Sequence, residues 1–205
     1  TPAVFHCNRS GDVRRALNIA KEFKLRPWVR GGADLGKSVE RVSAVGAVAA
    51  LDVTIKKPVY KANQQWLKDG TASMAPQARD DSDGEQRPVP VKDGDSSSPI
   101  TQGSYIEQAR QLRSDKEREE LRPHVTAGAA LAAGGIQLLM AASKPDDFID
   151  HVRTQVRFGL SPESCLASLT TGPAEVVGLG RAMGQVRAGF RADLVVTRGD
   201  PMVDG

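Results

Sequence analysis

The chain has 205 residues, 40% of them hydrophobic, 4% aromatic and 26% charged, with a net charge of +3. That length carries a core of ordinary size. Its basic residues form no stripe interleaved with aromatic side chains, which argues against a nucleic-acid surface, and no apolar run reaches the length of a membrane span. Two cysteines, Cys7 and Cys165, stand too far apart for a metal-ligand spacing and are too few for a disulfide scaffold.

Ala3 to His6 predict a strand, and Ser10 opens a helix whose apolar residues Val13, Ala16, Leu17, Ala20 and Phe23 recur at helical spacing. Leu25 to Val29 predict a second strand running into a loop at Arg30, Gly31 and Gly32. Asp34 starts a weaker helix with Leu35, Val39 and Val42 inward, Gly46 breaks it, and Ala47 to Ile55 predict a third strand. Strands and helices alternating at this size predict a parallel sheet wound by right-handed crossovers.

From Pro58 to Glu120 the chain turns polar. Residues 76–99 hold prolines, glycines, serines and charges with almost nothing apolar, a composition that predicts disorder. Gln102 to Leu121 predict a solvated helix with a thin stripe of Ile106, Ala109 and Leu112. Val125 to Ala133 predict a small-residue helix, and Ile136 to Ala141 a fourth strand. Lys144, Pro145, Asp146 and Asp147 start a helix that faces inward through Phe148, Ile149, Val152 and Val156.

Ser161, Pro162 and Glu163 mark a further helix start: a capping oxygen, a proline at the first helical position and an acid beside the positive end of the dipole. Gly172 and Pro173 stop that helix. A short one from Ala174 to Val177 follows, closed by Gly178 in the left-handed conformation. Gly184 to Val186 and Ala192 to Thr197, joined by a turn through Gly189, predict the two strands of a hairpin.

The stretch from Leu160 to Pro201 resembles the C-terminal end of the amidohydrolase superfamily, in its imidazolonepropionase-like and dihydroorotase-like branch. The matching residues are Leu160, Ser161, Pro162, Glu163, Pro173, Ala174, Gly184, Val186, Gly189, Ala192, Asp193, Leu194 and Val195. Residues 4–37, VFHCNRSGDVRRALNIAKEFKLRPWVRGGADLGK, are similar to strand five, helix five, strand six and the start of helix six of that family's barrel. The resemblance implies an α/β fold, the second half of a (β/α)8 barrel with C-terminal strands of a small β-sandwich. On that frame residues 1–57 hold strands five to seven with their helices. Residues 58–120 are a polar, largely disordered insertion, 121–180 hold strand eight and the C-terminal helices, and 181–205 the sandwich strands. Because the first residues already read as the middle of a strand, the N-terminal half of the same barrel is an expected partner.

The resemblance also implies a function: hydrolysis of a C–N bond other than a peptide bond in a small cyclic amide or amidine, by a water activated on a divalent metal, zinc foremost. Family ligands come from a His-x-His on strand one, histidines ending strands five and six, and an aspartate ending strand eight, often with a bridging residue from strand four. His6 falls on the strand-five position as a metal ligand. Gly31 falls on the strand-six position and Ser143 on the aspartate, so two of the three checkable ligands are substituted. Glycine offers no ligand, and a hydroxyl binds zinc poorly and takes no proton at neutral pH. Asp146 and Asp147 are the candidate substitutes for the aspartate and have a second reading as helix-start acids. His124 and His151 read as solvent-facing, and Cys7, adjacent to His6 on a strand, points to the other face and forms no thiol–imidazole pair.

Two functions therefore stand on the sequence. One is a metal-dependent hydrolase whose upstream ligands join His6; the other is a catalytically inactive, metal-free pseudoenzyme kept as a binding or assembly module. A small-molecule ligand is expected in either case, a homo-oligomer is compatible with both, and neither nucleic acid nor membrane is an expected partner. The compartment stays open between cytoplasm and periplasm.

Overall fold

The computed structural model describes residues 1–70, 102–143 and 146–203. Four short runs rich in apolar residues form the strands β1 (Pro2–His6), β2 (Arg26–Gly31), β3 (Val48–Asp52) and β4 (Leu138–Ala141), which pair in that order as a parallel sheet. His6 lies beside Arg30, Arg30 beside Ala50, and Ala50 beside Leu139; one residue further on, Gly31, Leu51 and Met140 are aligned. Laterally paired residues of a parallel sheet point to the same face, so this register sorts the side chains. Val29, Ala49 and Leu138 face the helices and are buried, whereas Val4, His6, Arg30 and Asp52 turn to the opposite, open face.

Helix α1 (Ser10–Glu22) buries Val13, Ala16, Leu17 and Ala20 against the sheet. Its first turn is held by Asp12, whose carboxylate accepts the Arg9 N–H at 3.1 Å and the Arg15 guanidinium at 2.6 Å. The weak helix expected at Asp34 forms as a 3-10 segment, Ala33–Ser38, followed by α2 (Val39–Ala44). Gly36 lets that segment lie against a later helix, since a Cβ there would stand 2.9 Å from the Cα of Ala127.

The region expected to be a polar insertion carries two helices. Helix α3 (Lys61–Asp69) was not expected; it forms because Trp66, 1% exposed, packs edge-on against Phe158 with ring centroids 4.7 Å apart. Ile55, Leu121 and Val125 complete this second small core. The disorder predicted for 76–99 lies outside the described residues. The two helices expected on either side of Pro123 are one, α4 (Gln102–Ala133), which passes through that proline.

Beyond β4 come α5 (Phe148–Arg157), α6 (Pro162–Leu169) and α7 (Thr171–Val176). Ser161 caps α6 as its sequence position predicts, its side-chain oxygen accepting the Ser164 N–H at 3.1 Å, and Gly178 takes a positive φ of 82°. The predicted hairpin strands at Gly184 to Val186 and Ala192 to Thr197 do not form. Neither segment has a ladder partner among the described residues, and Val186, Val195 and Val196 stand 88%, 89% and 95% exposed. Without inter-strand hydrogen bonds an apolar run has no reason to become sheet. The chain is re-anchored just beyond, where Met202 is buried against Cys165, sulfur to sulfur at 3.5 Å, and the Arg153 Nε donates to the Pro201 carbonyl at 3.0 Å.

Candidate functional site

Ligands of parallel α/β sheets sit beyond the C-terminal ends of the strands. In this chain those ends open on a cavity of about 260 Å³ lined by His6, Asn8, Arg30, Gly31, Gly32, Asp52 and Ser143. Each group arrives for a local reason. His6 is the last residue of β1, on the open face, while Cys7 beyond it turns inward and is buried. Burial, then the charge of Asp12, pushes the Cys7 thiol up from its ordinary value, which leaves it a packing group rather than a nucleophile.

The open-face residue of β2 at the cavity is Arg30, not Gly31. Strand β2 runs further than the sequence suggests, so that Arg30 is strand and level with His6. Gly31 contributes backbone only. A Cβ on it would collide with the Cys7 carbonyl oxygen and lie 3.3 Å from Leu35 Cγ, on the helix-covered side of the sheet. The position assigned to a family histidine therefore faces away from the cavity, because strand side chains alternate and Gly31 is one residue out of phase.

Asp52, ending β3, is the hub. It accepts the Thr54 N–H at 3.0 Å and a short hydrogen bond from the Ser143 hydroxyl, and the Arg30 guanidinium lies 3.8 Å away. Burial pulls its pKa upward; the hydrogen bonds from Ser143 and Thr54, with the Arg30 charge, more than offset this and hold the carboxyl below its usual value. Ser143 is held from a second side by its own N–H, which donates to the Thr54 hydroxyl at 3.0 Å. Thus Ser143 reaches the cavity as expected, as the partner of an aspartate from the neighbouring strand.

The other predicted groups lie elsewhere. Asp146 and Asp147 are exposed in the turn before α5 and do not line the cavity. Asp34 caps α1 rather than its own segment, accepting the Ser10 N–H at 2.9 Å while pairing with Lys37 at 3.1 Å. His124 lies at the rim, its Cε1 4.0 Å from where a side chain on Gly32 would begin. Desolvation and the Lys37 charge lower its pKa, opposed by Asp34; Lys56 and Asp52 act more weakly in opposite senses. His151 is half-buried rather than solvent-facing, with no hydrogen-bond partner for its Nδ1 among the described residues.

The described residues do not fit a divalent metal. No three His, Cys, Asp or Glu side chains among them converge on a point. Of the two donors at the cavity, Asp52 is already occupied by Ser143 and Thr54, and the Arg30 guanidinium brings a positive charge where an ion would need negative ones.

The Amidohydrolase family matches residues 104–204. The amidohydrolase tasK of Hapsidospora irregularis is 35% identical over 81 residues, 38% of this chain and 8% of that protein. Among solved structures, an amidohydrolase from Thermotoga maritima MSB8 superposes with a TM-score of 0.60 at 19% identity, covering 98% of this chain and 39% of its own. A second amidohydrolase structure gives 0.53 at 16% identity, covering 98% and 38%. The structural likeness concerns the fold, a parallel sheet with helices as in TIM-barrel amidohydrolases, and the chain spans well under half the length of each of these relatives.

Proposed function

The chain belongs to the amidohydrolase superfamily, and on that premise we propose that it forms one wall of a pocket in which a non-peptide C–N bond of a small cyclic amide or amidine is hydrolysed. The observation that carries this reading is the convergence of His6, Arg30, Asp52 and Ser143 at the C-terminal ends of four parallel strands. Hydrolysis needs a water oriented toward the carbon, negative charge met as it develops on the oxygen, and a proton passed to the departing nitrogen. Asp52, held ionised, can orient a water or accept its proton. Arg30 is placed to meet negative charge, and His6 is an imidazole open to the cavity for proton exchange. The metal of the superfamily reaction is outside what these residues can hold.

A second reading has a specific observation behind it. Arg30 puts a cation where metal-dependent relatives need ligands, which favours a metal-free pocket that binds without turnover. One experiment separates the two: the intact protein, equilibrated with zinc and freed of loosely held metal, is assayed for bound metal and for ring opening of a panel of small cyclic amides and amidines. Ring opening that Asp52→Asn lowers by about 100-fold or more supports the hydrolase. Absence of both metal and ring opening, with retention of a panel member that Asp52→Asn weakens, overturns it in favour of the binding module.

A further inference from the structure

We propose that the cavity selects molecules bearing a carboxylate, and that Arg30 is the group that reads it; this rests on the cavity being the substrate or ligand pocket. The argument begins with hydrogen-bond accounting. Among the described residues, nothing accepts a hydrogen bond from the Arg30 side chain, and its one ion pair, to Asp52, spans 3.8 Å, beyond hydrogen-bond distance. Asp52 accepts instead from Ser143 and Thr54, one on each carboxylate oxygen. The guanidinium keeps a fork of N–H donors without a protein acceptor among the described residues, in the lining of a cavity of about 260 Å³.

The Arg30 side chain is 37% exposed at the cavity, so its donors are open to an incoming group that matches the fork. A carboxylate does so with two parallel N–H···O bonds. A doubly charged phosphate is disfavoured, since ionised Asp52 stands close by and one guanidinium is the only cation lining the cavity among the described residues. Space for the carboxylate comes from Gly32, which raises no side chain: the nearest group to a Cβ there is His124 at 4.0 Å.

The test is a titration calorimetry comparison on the intact protein with N-acetylglycine and its neutral isostere N-acetylglycinamide, for wild type, Arg30→Met and Arg30→Lys, with thermal melting as a check on folding. Wild type is expected to bind the acid about tenfold or more tightly than the amide. Arg30→Met should erase that preference, and Arg30→Lys should keep part of it, because a point charge attracts a carboxylate but offers no fork. Equal binding of acid and amide, a preference that survives Arg30→Met, or no binding of either at about 10 mM overturns the proposal. The wild-type comparison decides even if a variant fails to fold. Phosphate is run alongside, and tighter binding of phosphate than of N-acetylglycine also counts against it. Ring opening of the cyclic amide and amidine panel keeps the two readings apart: acid preference without ring opening removes the hydrolase and leaves the carboxylate site, whereas ring opening without acid preference does the reverse.

Discussion

Asp52 sits where one residue answers to three neighbours, and acid is the way to interrogate it. Its folded pKa lies below the unfolded value of 3.8, through Ser143, Thr54 and Arg30 acting against burial. A depressed carboxylate contributes stability that is fully present above the unfolded pKa and lost as pH falls through the folded one. Melting temperature should therefore fall between about pH 5 and pH 3, and fall less in Asp52→Asn, which has no charge to lose. Asp12 and Asp34, also depressed, fall in the same window in both proteins and cancel in the difference. Parallel melting curves across that range would show that Asp52 makes no net contribution. The sequence concealed this residue and its partner for opposite reasons. Asp52 interrupts an apolar run and looks like an incidental polar position, whereas Arg30 precedes two glycines and looks like a loop; only the register shows that both point to one face.

The long helix α4 shows what one buried side chain does for an element. Pro123 has no N–H to give, so a carbonyl of the preceding turn loses its helical partner. One turn later Gln155 of α5, fully buried, inserts its amide. Its Oε1 accepts the Gly128 N–H at 3.1 Å, and its Nε2 donates to the His124 carbonyl at 2.8 Å, the two groups that a regular helical turn would join directly. Glycine at 128 leaves room for this approach, since a Cβ there would stand 2.8 Å from that oxygen and displace it. Gln155→Leu keeps the volume and removes both bonds, and should cost about 2–4 kcal/mol in urea denaturation at unchanged m-value. A loss below about 1 kcal/mol would mean that the helical bond re-forms on its own. The two-helix expectation around Pro123 thus marked the proline and missed the Gln155 bridge one turn on, because that side chain comes from another element. Local signals fared best: β1, α1 and the Ser161 cap follow from neighbouring residues alone.

At the scale of the whole molecule there are two cores, a large one between sheet and helices and a small one around Trp66. The small one was illegible because the residues around Trp66 on α3 are polar and its partners Leu121, Val125 and Phe158 lie far along the chain. It is tied together by Asn63, whose Nδ2 donates to the Ser114 carbonyl at 2.8 Å and to Glu117 at 2.7 Å. Trp66→Ala should cost about 3–5 kcal/mol, and hydrogen exchange should show amides of α3 and of 105–121 losing protection while those of β1 to β3 keep theirs. Uniform loss across both groups would show that the two cores unfold as one. The hairpin strands failed for a related reason: their pattern is right for sheet, but a pattern states a face to be covered and does not supply the cover.

The order of the sheet also has a consequence in time. Strands β1, β2 and β3 are neighbours in both sequence and space, each joined to the next by a short crossover, so they can assemble as soon as Asp52 has been synthesised. Strand β4 returns to β3 only from Leu138. At equilibrium that excursion costs little, since closure entropy grows only with the logarithm of loop length. During synthesis, at about 5–20 residues per second, it leaves the outer edge of β3 unpaired for several seconds. The nascent chain therefore passes through a stage in which β1 to β3 wait with the far edge of β3 open, and that interval is when a chaperone, or the wrong strand, has its opportunity.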